Sequence, residues 1–178
     1  MPRLNEVQPE EASGHVKQIY DAAENEFGSV PNLFKGLANS PVGLRAYTQL
    51  GKIIDTGDLS VTQQSIVRLV VSQFNGCDYC VGAHTMECRE HGMTEAETLQ
   101  IRRGESDDPE RAALIDFTLC VVETKGFVDD EDLAAFRDAG YTDGNVVEVL
   151  TIIAQKTLSN YFNHVHGTEL DFPAAPEL

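Results

Sequence analysis

Cys77, Cys80 and His84 are the residues of this chain whose types and spacing could do chemistry. Two thiols separated by two residues can cycle between dithiol and disulfide, grip a metal, or simply fill a core. His84 stands one helical turn beyond the second thiol. If a helix opens near Cys77, both thiols lie in its first turn, where unpaired N–H groups and the positive end of the helix dipole favour thiolate. Asp78 works against this by adding negative charge, although it suits a helix start. The i, i+3 spacing sets the two sulfurs on one face, and His84, at i+4 from Cys80, can reach that sulfur. An imidazole there can take the thiol proton and later deliver one to a leaving oxygen. The chemistry that follows is peroxide reduction. A thiolate attacks the O–O bond and becomes a sulfenic acid, the second thiol condenses with it to a disulfide, and an external thiol reductant resets the pair. Simple thiol–disulfide exchange would use the same sulfurs without His84.

Cys77, Cys80, His84 and Cys88 also read as four metal ligands, C-x2-C-x3-H-x3-C. On one straight helix, however, Cys77 and Cys88 are roughly 16 Å apart along the axis. A tetrahedral zinc with bonds of about 2.3 Å cannot span that. Three ligands from this helix with His164 or His166 stay open. Haem attachment wants His directly after the second cysteine, where Val81 stands. Cys88 and Cys120 read as core residues, His15 and His91 as surface residues. Asn163 and His164, near the end of the last apolar segment, are candidates to face the thiols.

The segments that must position these groups read as helices throughout. Pro9-Glu10-Glu11 opens a first helix that Gly28 ends, and Pro31 and Pro41 open Asn32–Ala38 and Val42–Ile54. Ser60 with Gln63 forms a capping box before Val61–Phe74, and the thiol helix runs from about Cys77 to Glu90. Thr94 with Glu97 caps a short helix, Pro109 opens another that closes at Gly126, and Asp129 and Asp130 cap Leu133–Ala139. The last helix runs from near Asn145 to Val165. Its Val146, Val149, Leu150, Ile153, Leu158 and Phe162 suggest burial on more than one side. Ile66–Val71 and Cys120–Val122 have strand propensity, but each lies inside a capped helical pattern. The expected fold is all-α.

The chain has 178 residues, 42% hydrophobic and 24% charged, which suits one domain over residues 1–178. Its net charge of −16 argues against nucleic acid and anionic membrane surfaces as partners. No apolar leader or membrane-length run is visible, so the chain reads as cytoplasmic, where thiols are kept reduced. Four cysteines in such a chain do not look like a disulfide framework.

Val71-Ser72-Gln73-Phe74-Asn75-Gly76-Cys77-Asp78-Tyr79-Cys80-Val81-Gly82-Ala83-His84 resembles the signature of the AhpD-like alkylhydroperoxidases, in the carboxymuconolactone decarboxylase superfamily. Val30-Pro31-Asn32-Leu33-Phe34, Leu37–Pro41, Asn160–His164 and Leu170–Pro173 are similar to the flanks of its peroxidase-related members. The resemblance implies an AhpD-like multi-helix domain with the CxxC at the start of a central helix. It also implies assembly into trimers or hexamers and a cysteine-based peroxidase acting on a small peroxide. Cys80 would be the peroxidatic thiol, Cys77 the resolving thiol and His84 part of a proton relay. No haem, flavin or metal is implied. One position departs: the family's relay glutamate falls at Ser65, which cannot hold a carboxylate's charge, and Tyr79 is not the histidine of some members. Gln64, Glu148 and His164 are the side chains that could stand in. A redox sensor without turnover, a lactone decarboxylase relative and a zinc module are the alternative readings.

Overall fold

The computed structural model describes residues Met1–Leu178. Nine α-helices follow one another: α1 (Gly14–Phe27), α2 (Asn32–Leu37), α3 (Pro41–Ile54), α4 (Val61–Phe74), α5 (Asp78–Glu90), α6 (Glu95–Arg102), α7 (Pro109–Thr124), α8 (Asp130–Asp138) and α9 (Asp143–His166). No strand is present, and the two β-prone stretches lie inside α4 and α7. The capping boxes at Ser60 and Thr94 form as their spacing requires, and Thr142 with Asn145 makes a third. The first helix starts later than Pro9. Residues 8–12 form a turn closed by Glu11 N–H to the Gln8 carbonyl and Ala12 N–H to the Pro9 carbonyl, and Ser13 precedes α1.

α4 lies at the centre of the bundle, against α5, α7 and α9. Ile66, Val67, Leu69, Val70 and Val71 are all buried, so the β-branched run that suggests a strand is a helix covered on every side. These side chains join Leu114, Ile115, Val149 and Ile152 in the larger core, where Phe117, Phe136 and Tyr141 stack ring on ring. Burial of one such side chain contributes about 1.5–3 kcal/mol. A second, smaller core joins Val16, Tyr20, Leu33, Leu37 and Leu44 to Cys77, Tyr79 and Cys80. The thiol motif therefore closes the N-terminal core.

Apart from Val149 and Ile152, the inward side of α9 is polar. Asn145, Gln155, Lys156, Ser159, Asn160, Asn163 and His166 are buried. Val147, Leu150, Leu158, Tyr161 and Val165, at intervals of three, four, seven or eight residues, are exposed. Periodicity alone puts Leu150 and Leu158 in a core, but they stand 43% and 42% exposed. The C-terminal residues cross α5 as an extended strap. Phe172 packs edge-on against Tyr79 at 4.8 Å, and Gly82 makes room, since a Cβ there would come within 2.8 Å of Phe172.

No helix is long and apolar enough to cross a membrane.

Candidate active site

Asn75-Gly76 ends α4 and turns the chain into α5. Gly76 takes φ +66, and the Cys77 N–H donates to the Ser72 carbonyl at 3.0 Å. Cys77 is the N-cap of α5, and its sulfur accepts the Cys80 N–H at 3.3 Å. The cap draws the two sulfurs together, with the Cys77 thiol donating to Cys80 Sγ at 2.6 Å. A disulfide of about 2.05 Å needs little further movement. Both thiols are free and buried, Cys77 1% and Cys80 3% exposed.

The opposite wall is α9. Asn163 Nδ2 lies 3.1 Å from Cys80 Sγ and 3.6 Å from Cys77 Sγ. The Thr168 hydroxyl donates to Asn163 Oδ1 at 2.6 Å, which turns the NH2 side of the amide towards the sulfurs. Asn160, one turn back, accepts from Asn75 at 2.8 Å and donates to the Ser72 hydroxyl at 3.4 Å.

His84 does not hydrogen-bond either sulfur, contrary to the reach its spacing suggests. Its Nδ1 pairs with Glu87 Oε2 at 2.6 Å and its Nε2 lies 3.2 Å from Lys156 Nζ. Charged partners on both sides hold the ring away from the thiols. Lys156 also donates to the Tyr47 hydroxyl at 3.3 Å, with its ammonium 5.4 Å from that ring's centre. Arg68 clamps Glu87 Oε1 at 2.5 Å and Asp55 at 2.9 Å.

These surroundings separate the two thiols. The hydrogen bond from Cys77 brings Cys80 down to about 7 against the opposing effect of burial, helped by the Lys156 charge and the amides of Asn163 and Asn160. Cys77 moves far up, because it gives that hydrogen bond and is buried beside the anion it stabilises. Cys80 is thus the more acidic thiol and Cys77 the proton-bearing partner. Burial, followed by the Lys156 charge, lowers His84 to about 4. Burial alone would raise Glu87, but His84, Arg68 and Lys156 hold its carboxyl well below the usual range. The His84–Glu87 contact is therefore a neutral imidazole on a carboxylate, not an ion pair.

The side chains put forward to replace a carboxylate at position 65 do not. Ser65 donates to the Val61 carbonyl and meets His91 Nδ1 at 2.9 Å. Gln64 donates to the carbonyls of Ile54 and Leu59 and touches the site only through Arg68 at 3.3 Å. Glu148 caps the Asp58 and Leu59 N–H groups at the approach to α4, both at 2.8 Å. His164 is exposed beside the Gly76 carbonyl at 3.3 Å. The carboxylate beside His84 is Glu87. It stands one turn after His84, a spacing visible in the sequence, whereas Lys156 and Asn160 are detectable only as polar interruptions of an apolar helix.

Cys88 is buried in the larger core, its thiol pushed up to about 12 by burial. It does not converge with Cys77, Cys80 and His84, and no three His, Cys, Asp or Glu side chains gather as they would around a metal. Cys120 is half-buried and donates to Asp132 at 3.1 Å, so it is not the core residue its apolar neighbours suggest.

Residues 41–114 match the model of the carboxymuconolactone decarboxylase family. The chain has the AhpD-like fold. The matched segment contains Cys77, Cys80, His84 and Glu87; the α9 wall lies beyond it. An uncharacterized protein of Bacillus subtilis (strain 168), YdfG, is 26% identical over 121 residues, 65% of this chain and 81% of its own. The alkylhydroperoxidase AhpD core structure of a peroxidase-related protein from Ralstonia eutropha JMP134 superposes with a TM-score of 0.88 at 24% identity, covering 96% of this chain and 92% of its own. The debrominase Bmp8 superposes at 0.79 with 17% identity over 95% and 92% of the two chains. At these identities the structural likenesses establish the fold.

Proposed function

We propose that this chain is a member of the carboxymuconolactone decarboxylase superfamily and a thiol peroxidase in which Cys80 reduces a small hydroperoxide and Cys77 resolves the product. The observation that carries this reading is the pair of touching, buried sulfurs, of which Cys80 receives the Cys77 thiol hydrogen and the nearer contact from Asn163 and lies in the field of Lys156. The Cys80 thiolate attacks the terminal oxygen of ROOH. An S–O bond forms, the O–O bond breaks, sulfur loses two electrons, and the leaving RO⁻ takes a proton to become ROH. The Cys77 sulfur then displaces hydroxide from the Cys80 sulfenic acid. The disulfide forms, and the Cys77 proton leaves in water. An external dithiol returns two electrons and two protons. A sulfur 3% exposed favours a small oxidant over a bulky one. Glu87 supports the reading by supplying the carboxylate that Ser65 lacks.

Consumption of hydrogen peroxide and cumene hydroperoxide in the presence of a dithiol tests it. Wild type should turn over and Cys80→Ser should not; equal inactivity of the two would sink the proposal. A peroxide-induced loss of two hydrogens without turnover would indicate a sensor. A cysteine-to-alanine variant of Bmp8 was solved with 2,3,4-tribromopyrrole. Turnover of a bromopyrrole but of no hydroperoxide would therefore move the same thiol pair to reductive dehalogenation.

The exposed apolar stripe of α9 supports assembly of this chain with further copies of itself.

A further inference from the structure

We propose that Lys156, not His84, is the group that balances the Cys80 thiolate and hands a proton to the leaving oxygen, with His84 and Glu87 positioning it. The charge half of this assignment rests on the placement of Lys156 in the fold and stands apart from peroxide chemistry; the proton half rests on the peroxidase reading above.

Lys156 is 2% exposed, yet none of the ion pairs in the chain includes it. A buried ammonium without a counter-ion is costly, so an anion is expected nearby. The carboxylate closest in the network, Glu87, is already shared between Arg68 and His84. Lys156, Asn160 and Asn163 occupy positions i, i+4 and i+7 of α9 and so share one face, and Asn163 on that face touches both sulfurs. The remaining candidate anion is the Cys80 thiolate. Lys156 contacts Tyr47 from α3 and His84 from α5, its charge acts on Cys80 and Glu87 of α5, and Arg68 of α4 enters the network through Glu87.

His84 is poorly placed for the proton step. A neutral imidazole carries one proton. With Nδ1 facing the Glu87 carboxylate at 2.6 Å and Nε2 facing the ammonium at 3.2 Å, that proton sits on Nδ1, directed at Glu87. None is left for a leaving group. Lys156 holds transferable protons, and an ammonium is acidic enough to protonate an alkoxide. It therefore gives one proton to RO⁻ as the O–O bond breaks and becomes a neutral amine. It next relays the Cys77 proton to the hydroxide displaced in disulfide formation. It regains its own proton from the dithiol that restores Cys77 as thiol and Cys80 as thiolate.

Alkylation of Cys80 by iodoacetamide across pH, resolved from Cys77 by peptide mapping, reads the thiolate without peroxide chemistry. Wild type should show a midpoint near 7. Lys156→Met should move it up by about one pH unit or more, and His84→Gln by much less. Lys156→Arg keeps the charge but releases no proton. It should retain the midpoint while hydroperoxide consumption at neutral pH falls on the order of 100-fold, as in Lys156→Met. An unmoved midpoint in Lys156→Met overturns the assignment, as does a loss of turnover confined to His84→Gln. If Lys156→Met does not fold, nitrogen NMR of the wild-type histidines decides. A neutral His84 protonated on Nδ1 at pH 7 supports the proposal, and an imidazolium titrating together with Cys80 overturns it. If wild type consumes no peroxide while its alkylation midpoint still depends on Lys156, the peroxidase reading falls and the charge assignment stands.

Discussion

Glu87→Gln tests whether this carboxylate ties α4 to α5 at the site. Gln preserves shape and removes charge. Glu87 receives two donors in the native protein, Arg68 Nη1 at 2.5 Å and His84 Nδ1 at 2.6 Å. A glutamine side chain has one acceptor oxygen, so one donor must face the amide NH2. Switching the His84 tautomer offers no escape, because an Nε2–H would then confront the Lys156 ammonium at 3.2 Å. An unsatisfied buried donor costs about 1–3 kcal/mol, and removing one member of a buried ion pair about 3–5 kcal/mol. Arg68 keeps Asp55, whose largely exposed carboxylate offsets at most about 1 kcal/mol. The expected net loss is roughly 2–4 kcal/mol, which in a chain of this size lowers the thermal midpoint by roughly 5–15 °C. Circular dichroism melts at pH 7 measure it. A Glu87→Gln midpoint within about 2 °C of wild type would refute the reasoning, because the carboxylate would then not be the acceptor the buried donors depend on.

Three further outcomes follow from the same contacts. Ser65→Ala removes the hydroxyl contacts to His91 and the Val61 carbonyl, so it should cost about 1 kcal/mol in a melt and leave the Cys80 alkylation midpoint where it is. Stability should fall on acidification from about pH 6.5 to about 4. In that window the unfolded chain takes up a His84 proton that the folded protein, with its lowered value of about 4, refuses. The full shift corresponds to about 3 kcal/mol at most, and urea midpoints that stay flat across this range would contradict it. Leu158→Glu with Tyr161→Glu, both on the exposed stripe, should reduce the assembly to monomer without loss of helicity. Light scattering that finds wild type already monomeric at micromolar concentration removes the self-association proposal.

What was legible in the sequence is what local physics decides. Ser60 with Gln63, Thr94 with Glu97 and Asp129 each satisfy backbone donors within their own turn, so the helices they start are fixed by neighbours in the chain. Cys77-Asp78-Tyr79-Cys80 behind Asn75-Gly76 carries its own geometry for the same reason, with the first sulfur capping the helix that holds the second. Even Glu87 was within local reach, at i+3 from His84. The α9 wall is different. Periodicity says which α9 residues are apolar, but not that Leu150 and Leu158 face outward while Val149 and Ile152 face the core. Lys156, separated from His84 by 72 positions, becomes part of the site only when α9 packs across α5. Only the tertiary structure decided that His84 would be held between an ammonium and a carboxylate, away from the sulfur its spacing allowed it to reach. Only packing could bury an ammonium there, since the cost of a buried charge is met by groups from distant parts of the chain.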